Sequence, residues 1–200
     1  MRVRTERVAV DSDYAVNAAG PYAASVAAML GDTLPVEPYR RNLACTEPVS
    51  GFPDPIPMCV DLDTGVLVRR EAGGFIIGYS DPGDLPCDDT TFDPTFLEAL
   101  STRVENRFPF LEEIPIDRRK CWAGLYPETP DHTAIIDTAG STPRLIHCAG
   151  FGGHGIMHSL AAGRAVAELI RDGRCTSFDI APLRRARFAE GAPTVETAVL

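Results

Sequence analysis

The segment Leu145–Ile170 reads LIHCAGFGGHGIMHSLAAGRAVAELI, and within it Gly150, Gly152 and Gly155 satisfy the spacing G-x-G-x-x-G. Glycines so spaced let backbone N–H groups approach a ligand, and a helix beginning beside them adds the positive end of its dipole. The chemistry on offer is main-chain binding of a flat or anionic molecule. A dinucleotide site of the usual kind would need a second parallel strand ending in an acidic residue, whereas RDGRCTSFDIAPLRRARFAEG follows Ile170. The same glycines also suit a tight strand-to-helix turn that needs them only for its dihedrals, and the local residues leave both readings open.

Other side chains could join such a site. His154 lies among the glycines, where it can donate a hydrogen bond or fill the turn. Trp122 and Tyr126 flank Gly124 in CWAGLYPETPD and can line a pocket or sit in the core. Arg40, Arg41, Arg69 and Arg70 could clamp a carboxylate, although paired arginines more often carry surface charge. No Ser-His-Asp order or catalytic-cysteine signature is present. The cysteines at 45, 59, 87, 121, 148 and 175 form no C-x-x-C pair, which points to free thiols and no metal site.

The elements that must position these residues fall into three groups. First, Val8–Val16 reads as a short strand pair or strand end, followed by a helix from about Pro21 that stops at Gly31 in a left-handed cap. Next, MCVDLDTGVLVRREAGGFIIGYS alternates as three antiparallel strands, divided by turns at Asp63–Gly65 and at Gly73-Gly74. A helix follows in DPTFLEALSTRVENRF, capped by Asp93, with Leu97, Leu100, Val104 and Phe108 on one face. Last come strands at Arg119–Leu125, Thr133–Ile136 and Leu145–Ala149. The terminal helix carries Ile156, Leu160, Gly163, Ala167 and Ile170 on one side and ends at Asp172-Gly173.

Composition bounds the function. The 200 residues are 24% charged and 44% apolar, ordinary for a globular chain, and no run is long enough for a membrane span. A net charge of −9 argues against a nucleic-acid partner, and the basic cluster RRARF from Arg184 reads as a solvated helix end. The charged opening MRVRTERVAVDSD lacks an apolar signal-peptide core, so a cytoplasmic location is expected.

Taken together, WAGLYPETPDHTAIID, LIHCAGFGGHGIMHSLAAGRAVAELI and NAAGPYAASVAAMLGDTLPVEPYRR resemble the C-terminal part of the D-amino-acid-oxidase and sarcosine-oxidase superfamily of FAD-dependent oxidoreductases. The resemblance implies an α+β fold: a mixed, mostly antiparallel substrate-domain sheet (34–125) flanked by pieces of a FAD-binding α/β domain (1–33 and 126–200). The dinucleotide-binding βαβ unit of that domain is absent. The apolar faces of Pro21–Leu30 and Ile156–Ile170 would then lie exposed, and one account supplies the missing half from a partner chain.

The resemblance also assigns roles. It places the flavin ring by Gly150, Gly152, Gly153, His154, Gly155, Ile156 and Met157, and the ribityl or phosphate region by Asn17, Ala18, Ala19 and Gly20. It implies catalytic positions at Tyr126, His154 and Met157. The reaction implied is hydride transfer from the carbon beside nitrogen to flavin N5, giving an imine. Amino-acid oxidases of the superfamily tend to place an arginine where Tyr126 stands, which disfavours a D-amino-acid oxidase and favours the sarcosine-oxidase beta-subunit-like branch, acting on N-substituted or cyclic amino acids. Monomeric sarcosine oxidases attach FAD through a cysteine near the position of Gly124, so FAD here is expected to be non-covalent. They also carry a lysine where Met157 stands, so a dehydrogenase is as consistent as an oxidase. A non-catalytic remnant or binding module is the alternative from another class.

Overall fold

The computed structural model describes residues 1–194 apart from Asp54, Asn106 and Ser141. In chain order the strands are β1 (Arg2–Arg4), β2 (Ala9–Asp11), β3 (Ala15–Asn17), β4 (Glu37–Cys45), β5 (Cys59–Val60), β6 (Val66–Glu71), β7 (Gly74–Tyr79), β8 (Trp122–Glu128), β9 (Ile135–Thr138) and β10 (Leu145–Ala149). The α-helices are α1 (Ala23–Ala28), α2 (Phe96–Val104), α3 (Gly155–Asp172) and α4 (Ala186–Ala189). The fold class is mixed α+β with mostly antiparallel open sheets. The chain divides into two compact units, one of Met1–Pro38 with the chain from Tyr126 onward, the other of Tyr39–Leu125. No described helix is long and apolar enough to cross a membrane.

In the first unit, LIHCA is an almost continuous apolar run, the pattern of a strand covered on both faces. It forms β10, the centre of a three-stranded sheet ordered β3-β10-β9, parallel to β3 and antiparallel to β9. Alternate side chains serve two cores. Ile146 and Ile136 pack with Ala162, Ala165 and Val166 of α3, while Ala149 and Ile135 pack with Ala23 and Ala27 of α1 and with Leu34 and Val36. The α1 helix is shorter than the sequence predicts, because Gly20–Tyr22 form a 3-10 turn before it. Its end follows the expectation: Gly31 is left-handed (φ +71°) and donates its N–H to Ala28 at 3.0 Å, while the Asp32 N–H donates to Ala27 at 3.0 Å. The hairpin of β1 and β2 escapes the sequence reading in part, since three residues are too few to show a period.

The second unit carries the sheet β5-β6-β7-β4-β8. The three predicted antiparallel strands are β5, β6 and β7; the two-residue turn joining the last two is Ala72-Gly73 (φ +47° and +80°), one residue before the expected Gly73-Gly74, because Gly74 in β7 already pairs with Glu71 of β6. Val66, Val68, Phe75, Ile77 and Ala44 pack against Phe96, Leu100 and Val104 of α2. The Asp93 carboxylate accepts the Thr95 N–H at 3.0 Å, and the helix starts at Phe96, which joins the buried face. β8 begins at Trp122 rather than Arg119. Residues 117–120 are held in a turn by the Lys120 N–H to Asp117 carbonyl bond at 2.9 Å, and the Asp117 carboxylate takes the Arg119 N–H at 3.2 Å.

Candidate functional site

The end of β8 shapes the glycine turn. Gly150 has φ +78°, and a Cβ there would stand 2.4 Å from Thr129 Cγ2. Gly152 has φ +51°, and its Cβ would meet the Glu128 carboxylate oxygens at 3.0 and 3.1 Å. A Cβ at Gly153 would lie 2.8 Å from the Tyr126 ring. All three glycines are therefore closely packed, and Gly150 and Gly152 also take left-handed dihedrals. Gly155 differs, since its Cβ would meet nothing nearer than Phe151 Cβ at 3.5 Å. The two sequence motifs, WAGLYPETPD and GFGGHG, are thus the two sides of one contact.

A buried ion pair holds the loop that follows β8. Asp131, 3% exposed, accepts Arg187 Nε at 2.7 Å and Nη2 at 2.8 Å, together with the Thr194 N–H at 3.0 Å and the Thr129 hydroxyl at 3.1 Å. Arg187 is 1% exposed and also donates to the carbonyls of Thr133 and Arg184 at 2.6 and 3.1 Å. Burial pushes the Asp131 carboxyl up, but the Arg187 and threonine donors outweigh it and hold it below the usual aspartate value. The reading of RRARF as a solvated helix end is therefore corrected. Arg187 is among the largest fully buried side chains, because a planar fork can satisfy a carboxylate and two carbonyls at once.

The NAAG segment is fixed by a second network. Asn17, 2% exposed, donates Nδ2 to the Ala23 carbonyl at 2.8 Å and faces His147 Nδ1 at 3.2 Å. Because an amide nitrogen only donates, Nδ1 accepts, and the His147 Nε2–H donates to Asp32 Oδ2 at 3.1 Å. The other Asp32 oxygen takes Arg185. Burial raises the Asp32 carboxyl, while the Arg185 and His147 bonds lower it further, leaving it below its ordinary value. His147, Asp32 and Arg185 were missed from sequence. The available signal was a histidine within an apolar strand, which must find polar partners when buried.

The predicted site residues gather at one edge. β3 and β10 run parallel with Asn17 opposite His147, so Ala18, Ala19 and Gly20 and the turn from Gly150 leave the sheet at the same carboxyl edge. This is where open α/β sheets bind ligands. The Asn17 side chain itself points into the network. α3 starts at Gly155 after His154, with no side-chain cap and no acidic residue in its first turn, so its dipole is uncompensated there. Ile156 and Met157 are 91% and 62% exposed, and Leu160 is 89% exposed, so the apolar side read from sequence lies open at its start, while Ile170 at its end packs with Ala162, Ala165 and Val166 of the buried face. The arginines considered as carboxylate clamps have other partners in the second unit: Arg40 pairs with Asp89 and Asp93, Arg41 with Asp84 and Arg69 with Glu71, while Arg70 donates to the Val49 carbonyl and lies against Phe75.

The sheet edge and glycine turn are those of a flavoenzyme fold, and the model of the FAD dependent oxidoreductase family matches residues 1–169, so the chain belongs to that family. It is 29% identical over 208 residues to FAD-dependent oxidoreductase domain-containing protein 1 of Xenopus laevis, covering 96% of this chain and 41% of that protein. It is 32% identical over 181 residues to D-amino acid dehydrogenase of Xanthobacter autotrophicus, covering 90% of this chain and 42% of that one. Among solved structures, L-proline dehydrogenase from P. horikoshii superimposes with a TM-score of 0.85 at 30% identity, covering 96% of this chain and 51% of the other. The chain thus spans about two fifths of the length of these relatives and half of that solved chain.

Proposed function

We propose that this chain supplies the ring-side part of an FAD-dependent oxidoreductase that oxidises the C–N bond of an amine or amino acid, with an N-substituted or cyclic amino acid as substrate. The observation that carries this reading is the uncapped start of α3 at the carboxyl edge of β3 and β10, with Tyr126 packed over Gly153. The residues fit a flat, electron-accepting ring: Gly155 has room above it, Met157 and Ile156 are open, and no first-turn carboxylate opposes negative charge. FAD, when bound, supplies the two-electron acceptor.

The chain's own groups would act as follows. The first-turn amides of α3 and its dipole would stabilise negative charge on the ring, a preorganised effect that requires no rearrangement during reaction. Ala18, Ala19 and Gly20 would meet the ribityl or phosphate region through their backbone. Tyr126 would face the substrate where an arginine grip is absent. Met157 provides no cation beside the ring, which favours transfer of electrons to an acceptor other than oxygen. The proline dehydrogenase likeness supports a cyclic or N-substituted substrate. The open Ile156 and Leu160 would carry a partner surface, on which further FAD-domain structure would lie.

The test is FAD titration of the purified chain, followed by anaerobic addition of sarcosine, L-proline or D-alanine. The reading expects saturable binding with a perturbed visible spectrum, and bleaching by the first two in preference to D-alanine. Absence of saturable binding would overturn it for this chain, and bleaching by D-alanine alone would overturn the substrate class.

A further inference from the structure

Within the first unit, α3 and the segment after it border an open pocket of about 260 Å³. His132, Phe151, His154, His158, Phe178 and Ile136 contribute to its lining. Among the described residues no carboxylate lines it, and most of its wall is ring or hydrocarbon. His154 and His158 stack with centroids 5.9 Å apart at 25°, and Phe151 lies tilted 6.4 Å from His158. The volume exceeds the roughly 150 Å³ in which an apolar cavity holds benzene.

One polar group in this lining has a fixed role. His132 sits in the left-handed region (φ +56°), and its Nδ1 is 3.1 Å from Glu128 Oε2. Glu128 is 4% exposed and packed against Gly152, so it stays where it is. A carboxylate accepts, so Nδ1 carries the proton toward Glu128, and in the neutral ring Nε2 is the acceptor. The pocket therefore offers aromatic walls and the polar His132 ring.

We infer that this cavity binds a small aromatic molecule carrying one hydrogen-bond donor, of the phenol or indole class, stacked among Phe151, His158 and Phe178 with its donor on His132 Nε2. The inference goes beyond the flavin reading and does not rest on it, because His154 is the one proposed flavin position that borders the cavity.

The chain has four histidines, so imidazole NMR of the histidine-labelled protein, without FAD, resolves the site. The probes are 4-methylphenol, which has the donor, and 4-methylanisole, which lacks it. Expected are saturable shifts at His132, His154 and His158 with the buried His147 unmoved, and about tenfold weaker binding of the anisole, the loss of one hydrogen bond. His132→Phe should erase that preference, and Ala161→Phe, which fills the cavity while keeping His132, should abolish binding of both probes. An unchanged His147 signal verifies that each variant is folded. The absence of saturable shifts, equal affinity for the two probes, or undiminished binding by the Ala161→Phe variant would each overturn the inference.

Discussion

Two sets of ion pairs, one in each unit, do opposite work. At the rim of the unit of β4 to β7, Arg69 and Glu71 pair with side chains 49% and 52% exposed, and Arg40 meets Asp89 and Asp93 in partly open positions. Inside the unit of β3, β9 and β10, Arg187 and Asp131 pair with side chains 1% and 2% exposed. Water screens the first kind, so those pairs contribute little. The second kind has no such screening, and removing one partner leaves a buried charge alone. The difference also separates scaffold from site, because the interior pair anchors the loop carrying Thr129, and Thr129 is the residue against which Gly150 turns.

Arg187→Ala should therefore show the largest effect, a loss of about 3–5 kcal/mol in urea denaturation, with Asp131→Ala close behind. If Arg187→Ala is as mild as a rim substitution, the contrast between the units fails. Gly150→Ala comes next, with an expected cost of about 1–3 kcal/mol from its left-handed backbone and the contact with Thr129. Adding Thr129→Ser, which removes Cγ2, should recover part of that cost, and simple additivity would refute the proposed contact.

The pH dependence sharpens the same contrast. Asp131 and Asp32 both hold their protons less readily when folded than when unfolded. Their stabilisation is therefore fully present above the unfolded aspartate value of about 3.9 and is lost as pH falls through the lower folded values. Acid titration followed by circular dichroism should show stability falling below about pH 4, with a shallower slope in Asp131→Asn. The smallest effect is expected for Arg69→Ala, within about 0.5 kcal/mol and shrinking further with added salt.

Legibility in the sequence followed distance along the chain. The β10 run and the helix stops at Gly31 and Gly173 depend on neighbouring residues, and each could be read locally, as could the hairpin of β6 and β7 to within one residue of its turn. The pairs Arg187–Asp131 and Arg185–Asp32 join positions 56 and 153 residues apart, and a charge cluster carries no mark of a distant buried partner. The glycine turn lay between these cases. Its dihedrals were legible, but Tyr126, Glu128 and Thr129 as the surface that demands them became visible only once β8 and the turn were placed together.

The most direct test of the central claim is backbone amide NMR of the nitrogen-labelled chain during FAD titration. The account predicts saturable shifts largest at Gly153, Gly155, Ile156 and Met157, with Gly173 at the far end of α3 unmoved. Saturable shifts elsewhere that leave these amides in place, or no saturable shift at all, would contradict it.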